Sequence, residues 1–211
     1  CPMPVCDFQK KRYKELKYGQ VGSMLNVIGV DQIRALQKIA VEETRLGIPL
    51  IFGHDVIHGY KTIFPIPLAE SCSWDLELME KSARVAATEA SADGLNWTFA
   101  PMVDISRDAR WGRVMEGAGE DPFMGSLAAQ ARVSGFQGEN LSDINTIIGC
   151  AKHFAGYGFS EAGRDYNTAD FNEYTLHNSI MPPFKAAVDA SPAKMKKAAM
   201  KMVEKPQYSK P

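Results

Sequence analysis

An alternation of short apolar runs with amphipathic stretches, in which each run gives way to polar residues, constrains this chain more than any other feature. The first run is Val21 to Val27. A helix with Asp31 as its N-cap follows, carrying Ile33, Leu36, Ile39, Ala40, Thr44 and Leu46 as an inward stripe and Gly47 as its stop. The second run, Ile48-Pro49-Leu50-Ile51-Phe52, is continuous, the pattern of a parallel strand buried on both faces. A helix from about Leu76 to Ala92 ends at Gly94, and a third strand runs from Asn96 to Asp104. Asp121-Pro122 opens the next helix with a capping carboxylate and a proline in its first turn. The fourth strand, Thr146 to Ala151, leads through a polar loop into a helix from about Asn172 that Pro182 and Pro183 interrupt. Strand, helix, strand, helix at this spacing produces right-handed βαβ units and a parallel sheet.

Chemistry-bearing residues gather at the ends of these strands. Asp55, Asp104, Lys152 and His153 all come at or just after a carboxyl end, the edge that carries active sites in parallel α/β sheets and barrels. The loop after Asp104 adds Arg107, Arg110 and Arg113 among Asp108, Glu116, Glu120 and Asp121, so it can neutralise itself through bidentate arginine–carboxylate pairs. Trp111 and the glycines at 112, 117 and 119 would give that loop a flat apolar face and close backbone approach, as a sugar ring requires. A surface loop laced with salt bridges is the competing reading.

Composition removes several classes. A formal net charge of −1 lacks the basic excess of a nucleic-acid binder, and no apolar run reaches the roughly 18 residues of a membrane span. Cys1, Cys6, Cys72 and Cys150 have no metal-ligand spacing; the last two are expected as small buried hydrophobes, while Cys1 and Cys6 could pair. His54 and His58 are two candidate ligands on a non-helical stretch, too few for a metal site, so no metal and no cofactor is expected. The chain opens Cys1-Pro2-Met3-Pro4 without a signal pattern and is expected to be processed, trimmed or incomplete.

Six segments then combine into a resemblance. Gly53-His54-Asp55-Val56-Ile57-His58-Gly59, Phe99-Ala100-Pro101-Met102-Val103-Asp104, Arg107-Asp108-Ala109-Arg110-Trp111-Gly112-Arg113, Gly119-Glu120-Asp121-Pro122, Lys152-His153-Phe154 and Gly163-Arg164-Asp165-Tyr166-Asn167 resemble, in order, the amino-terminal barrel domain of glycoside hydrolase family 3, in particular its periplasmic β-glucosidase branch. The resemblance covers about residues 20 to 190. It implies an α/β fold of the (β/α)8 TIM-barrel type followed by a sandwich domain, and retaining hydrolysis of terminal β-D-glucosyl residues from oligosaccharides or β-glucosides. It implies a periplasmic or extracellular location. Carried over, Asp55 would hydrogen-bond sugar hydroxyls, Arg113, Lys152 and His153 would bind the same ring, and Arg164 with Asp165 would border the pocket.

The pattern breaks where bond cleavage should be. Retaining hydrolysis needs two carboxyl groups roughly 5 Å apart. The family's nucleophilic aspartate sits in a Ser-Asp-Trp-like motif that this sequence lacks, and its acid/base glutamate comes from the following domain. A full barrel takes about 250 residues, and four βα units are half of eight. The expected organisation is a basic arm over 1–20, a partial barrel over 21–190 and a lysine-rich tail over 191–211, a fragment holding sugar without cutting it. Its expected partners are an oligosaccharide or β-glucoside, and the missing barrel half and sandwich domain or a second copy; no nucleic acid is expected. A β-xylosidase, a non-catalytic carbohydrate-binding or assembly module, and a β-N-acetylglucosaminidase are the rivals. The last is weakened because Ala155-Gly156-Tyr157-Gly158 lacks that branch's loop histidine.

Overall fold

The three strands are short. In the computed structural model, which describes residues 13–191, β1 (Ser23–Leu25), β2 (Ile51–His54) and β3 (Trp97–Thr98) form a parallel sheet in the order β1-β2-β3. The fourth expected strand lies beside β3 through single parallel bridges, Trp97 with Ile148 and Met102 with Lys152. Backbone bonds knit the two segments: Thr98 N to Ile148 O at 2.9 Å, Cys150 N to Ala100 O at 2.8 Å and Val103 N to Lys152 O at 2.8 Å. Pro101 stands in the middle of that pairing without an N–H, so a continuous ladder is impossible there. The chain is therefore α/β with a small parallel sheet.

Helices cover one side of this sheet. Helical residues 13–17 (α1) place Leu16 in the core at 1% exposure, so this described part of the expected arm packs against the fold. Helix α2 (Val30–Lys38) buries Ile33, and the chain continues through a wider π-type turn, Ile39–Glu43, that buries Ile39 and Ala40. Its cap differs from expectation: Gly29 holds the N-cap position and Asp31 lies within the first turn. Leu46, expected on the inward stripe, is exposed because the helix has already ended. After β2, the short α3 (Pro67–Ser71) precedes α4 (Leu76–Ala92), which starts where Asp75 accepts from the Leu78 N–H at 2.9 Å.

The close packing of α4 on α5 (Pro122–Gln137) follows from small residues. Ala83, Ala86, Ala87 and Ala90 are buried on α4, and a Cβ on Gly135 would stand 2.4 Å from Glu80 O and 2.6 Å from the Ala83 Cβ. Only glycine permits that approach. Asp121 caps α5 as the sequence predicts, accepting from Phe123 and Met124 N–H. The last helical stretch begins at α6 (Glu173–Thr175), capped by Asn172, widens over Leu176–Ile180, and resumes as α7 (Met181–Ala190). Pro182 and Pro183 follow the widened stretch directly and fall in the first turn of α7, so the expected interruption takes the form of a change of helix type within one helical run, where their missing N–H groups are tolerated.

Two apolar clusters result. Leu50, Phe52, Ala87, Leu95, Phe136 and Ile147 lie between the sheet and its helices, while Val103, Ile105, Val133, Phe159, Ile180 and Phe184 join the 103–105 segment to α5 and α7. Burial of β2 is one-sided, contrary to the continuous-run reading: Leu50 and Phe52 are buried, whereas Ile48 and Ile51 are 61% and 43% exposed. The described helices cover only the face that Leu50 and Phe52 share. Cys72 is exposed just past α3, not buried, and Cys150 is half-buried, its thiol pushed up by burial. Among the described residues no helix is long and apolar enough to cross a membrane. The Cys1–Cys6 pairing, the rest of the arm and the tail from residue 192 lie outside the described residues.

Candidate functional site

Three strand ends deliver the polar groups of the site. Asp55 follows β2 directly and is half-exposed. Lys152 and His153 follow the fourth parallel segment, and Asp104 ends the segment after β3. Arg113 and Glu116 come from the loop beyond, where a single turn of 3-10 helix, Val114–Glu116, follows Arg113. Sequence separations of up to about a hundred residues therefore close onto one edge of the sheet.

Lys152 is the junction. Its ammonium lies 3.6 Å from Asp55 Oδ1 and 3.8 Å from Glu116 Oε2, and its side chain is 12% exposed. Both separations exceed hydrogen-bonding distance, so among the described residues the three N–H donors of the ammonium are held by charge without being consumed. Arg113 grips Glu116 through two parallel bonds, Nε to Oε1 at 2.6 Å and Nη2 to Oε2 at 2.8 Å. Burial pushes the Glu116 carboxyl up, but the Arg113 bonds and the Lys152 charge outweigh it and hold it below the usual carboxylate range. Arg113 also lies over the Tyr157 ring, 5.4 Å from its centroid.

His153 forms the second half of the site. Its backbone N–H and its ring Nδ1 both meet Asp104 Oδ2 at 2.8 Å, and its ring stands edge-on to Tyr157 with centroids 4.8 Å apart. Tyr157 in turn donates to Asp165 Oδ1 at 2.5 Å, and the indole Nε1 of Trp111 donates to the same oxygen at 3.0 Å. Burial and the Asp165 bond push the Tyr157 phenol up to about 12. The bonds from Tyr157 and Trp111 hold the Asp165 carboxyl low. A Cβ on Gly158 would lie 2.2 Å from Ile105 O, so a glycine is required for the 156–160 loop to press against the strand end.

Of the six residues the sequence nominates, Asp55 faces Lys152 directly, Lys152 and Arg113 meet at Glu116, and His153 and Asp165 are joined to Arg113 through Tyr157. Arg164 is exposed beside Asp165, and among the described residues no side-chain contact ties it to the group. Trp111 departs from its expected role as an open platform. It is 1% exposed, packed edge-on against Tyr157 at 5.0 Å, and works as an inner wall because its N–H is spent on Asp165. The self-neutralising loop does form, with Arg110 on Asp108 and Arg113 on Glu116, while Arg107 lies over Phe159.

Sequence reading passed over Tyr157 and the bridging role of Glu116. Neither carries a spacing signal; only the meeting of the 113–116 turn with the 152–157 loop reveals them. His54 and His58 are occupied by Asn26 Oδ1 at 2.8 Å and Phe64 O at 2.9 Å. Among the described residues no group of three His, Cys, Asp or Glu side chains could hold a metal. What the site can do is bind a neutral polyol: carboxylates accept hydroxyl protons, and Lys152 and Arg113 donate to hydroxyl oxygens.

The family model for the glycosyl hydrolase family 3 N terminal domain matches residues 2–205. The periplasmic beta-glucosidase of Salmonella typhimurium is 44% identical over 185 residues, which are 87% of this chain and 24% of that protein. A beta-xylosidase of Formosa agariphila is 34% identical over 80% of this chain and 25% of its own length. The crystal structure of a beta-glucosidase from Listeria innocua in complex with glucose superposes with a TM-score of 0.83 at 42% identity, covering 90% of this chain and 27% of that one. The chain thus spans about a quarter of the relatives it matches.

Proposed function

This chain belongs to glycosyl hydrolase family 3, as its amino-terminal domain, and we propose that the whole protein hydrolyses terminal, non-reducing β-D-glucosyl residues with retention of configuration. In this reading the strand-end site holds the terminal sugar. The observation that carries it is the Lys152 ammonium, suspended 3.6 and 3.8 Å from two carboxylates with its donors uncommitted among the described residues. A half-exposed Asp55 supplies the matching acceptor, and Arg113, His153 and Asp165 complete the wall, with Arg164 at its rim. Contacts of this kind to ring hydroxyls strengthen as oxocarbenium character develops and so lower the barrier.

The carboxylates gathered here bind and scaffold. Glu116 and Asp104 are committed to Arg113 and His153, and Asp165 to Tyr157 and Trp111. Nucleophile and acid/base are assigned to polypeptide other than these residues. The four parallel segments are read as half of a (β/α)8 barrel over 21–190, flanked by a basic arm over 1–20 and a lysine-rich tail over 191–211, with a sandwich domain following. A periplasmic or extracellular location goes with this reading.

A second specificity, for β-xylosides, has its own support in the Formosa agariphila beta-xylosidase. Competition by D-glucose and D-xylose, followed calorimetrically, separates the two. Asp55→Ala is expected to weaken glucose binding about tenfold or more, as loss of a hydrogen bond to a charged group does. Unchanged glucose affinity in that variant would overturn the placement of the sugar, and tighter binding of xylose than glucose would move the substrate to a pentoside.

A further inference from the structure

Asp104 is a buried carboxylate with a single client. Its side chain is 1% exposed, Oδ2 receives both the backbone N–H and the ring Nδ1 of His153 at 2.8 Å, and Oδ1 has no hydrogen-bond partner among the described residues. A buried acid that leaves half its acceptor capacity unused costs stability, so its presence calls for a function that offsets the cost. That function can be read from the oxygen it does use. A carboxylate has no proton to give, and one oxygen has lone pairs enough to accept both the His153 backbone N–H and a ring N–H, so with Asp104 as the acceptor of both bonds the proton facing it belongs to the imidazole. In the neutral ring the lone pair then lies on Nε2.

We propose that Asp104 is a positioning residue that holds His153 as the Nδ1–H tautomer, making Nε2 an acceptor for one donating hydroxyl of the bound sugar. The inference rests on the sugar-binding reading of the site. Nε2 has no partner among the described residues, and the ring is about one-third exposed, wedged edge-on against Tyr157. Ring rotation is opposed from both sides, by the carboxylate and by the phenol. The pocket then offers two acceptors, Asp55 and His153 Nε2, against two donors, Lys152 and Arg113. Such a balance suits hydroxyls that both give and receive, and it penalises a substituent that cannot donate.

Deoxyfluoro-D-glucoses test this, because fluorine keeps the bulk of a hydroxyl but donates no hydrogen bond. Binding of glucose and of the monofluoro series is measured calorimetrically on the intact protein, its Asp104→Ala, Asp104→Asn and His153→Ala variants, and the Asp104→Ala/His153→Ala double variant. One ring position is expected to lose about fivefold or more in affinity on fluorination in the parent protein and nothing further in His153→Ala or Asp104→Ala. The double variant should bind no worse than either single one, and Asp104→Asn, whose amide oxygen can still accept from the ring and backbone N–H groups, should recover most of the loss. Asn also serves if Asp104→Ala does not fold. If His153→Ala weakens glucose binding while both Asp104 variants leave it and the fluorine profile unchanged, the positioning role is overturned and the sugar site stands. Losses that multiply in the double variant overturn it as well. If His153→Ala changes no affinity, the sugar site itself is misplaced and the inference falls with it.

Discussion

Two cation–carboxylate groups in this molecule are built from the same chemistry and put to opposite uses. Beneath the strand ends, Arg132 on α5 meets Glu70 on α3 at 2.6 Å, with side chains only 7% and 5% exposed, and also donates to Ile57 O. The pair is closed: bond lengths are short, solvent is excluded, and burial pulls the Arg132 guanidinium down against the pull of Glu70. At the strand ends, Lys152 faces Asp55 and Glu116 at 3.6 and 3.8 Å, and Asp55 is half in solvent. That group is open. A closed pair couples elements to one another, whereas an open one keeps donors in reserve for something else. Arginine suits the first because its fork satisfies several acceptors at once, and lysine the second because its ammonium stays mobile.

The largest effect that could break this contrast is on the closed pair. Arg132→Met strands a buried carboxylate and should cost about 3–5 kcal/mol in a urea unfolding experiment, while Glu70→Leu combined with Arg132→Met should recover most of the loss. A cost below about 1 kcal/mol for the single variant would mean that the pair is not sealed. Lys152→Met should behave the other way round. It is expected to lower glucose affinity about tenfold or more while shifting unfolding stability by no more than about 1 kcal/mol. If it destabilises the fold as much as Arg132→Met, the two groups are of one kind.

The smallest effect concerns pH. Glu116 is held below the usual carboxylate range, so its stabilisation is complete above the unfolded value near about 4.3 and disappears as pH falls through the lower folded value. Glu116→Gln lacks this contribution, so its melting temperature should lie below the parent's at neutral pH and converge on it under acid conditions. Melting curves recorded from neutral to acid pH check this, and a gap that stays constant would assign the effect to packing instead of charge.

The Asp121-Pro122 start of α5 was the most legible local feature, because a capping carboxylate acts within a turn of the N–H groups it accepts from and a short stretch of sequence holds the whole interaction. The Asp31 cap and the Gly47 stop, by contrast, were misplaced. The strand-end site was legible to the extent that it is periodic: Asp55, Lys152 and His153 fall where apolar runs stop. Trp111 was misread because composition shows that an aromatic is present but not which side of a loop it turns to. The Arg132–Glu70 pair left no trace in the sequence, its partners being 62 residues apart on helices whose apolar faces otherwise look ordinary.

The sequence by itself determined the alternation of strands and helices, the polar character of the strand ends and the family to which the six segments point. These depend on residue order over short spans, where backbone geometry converts spacing directly into facing. Only the tertiary structure decided that Lys152 keeps its donors free, that Glu116 bridges it to Arg113, and that Asp104 is given over to His153. Those outcomes turn on which side chains meet when segments up to a hundred residues apart are brought together, and no local rule carries that information.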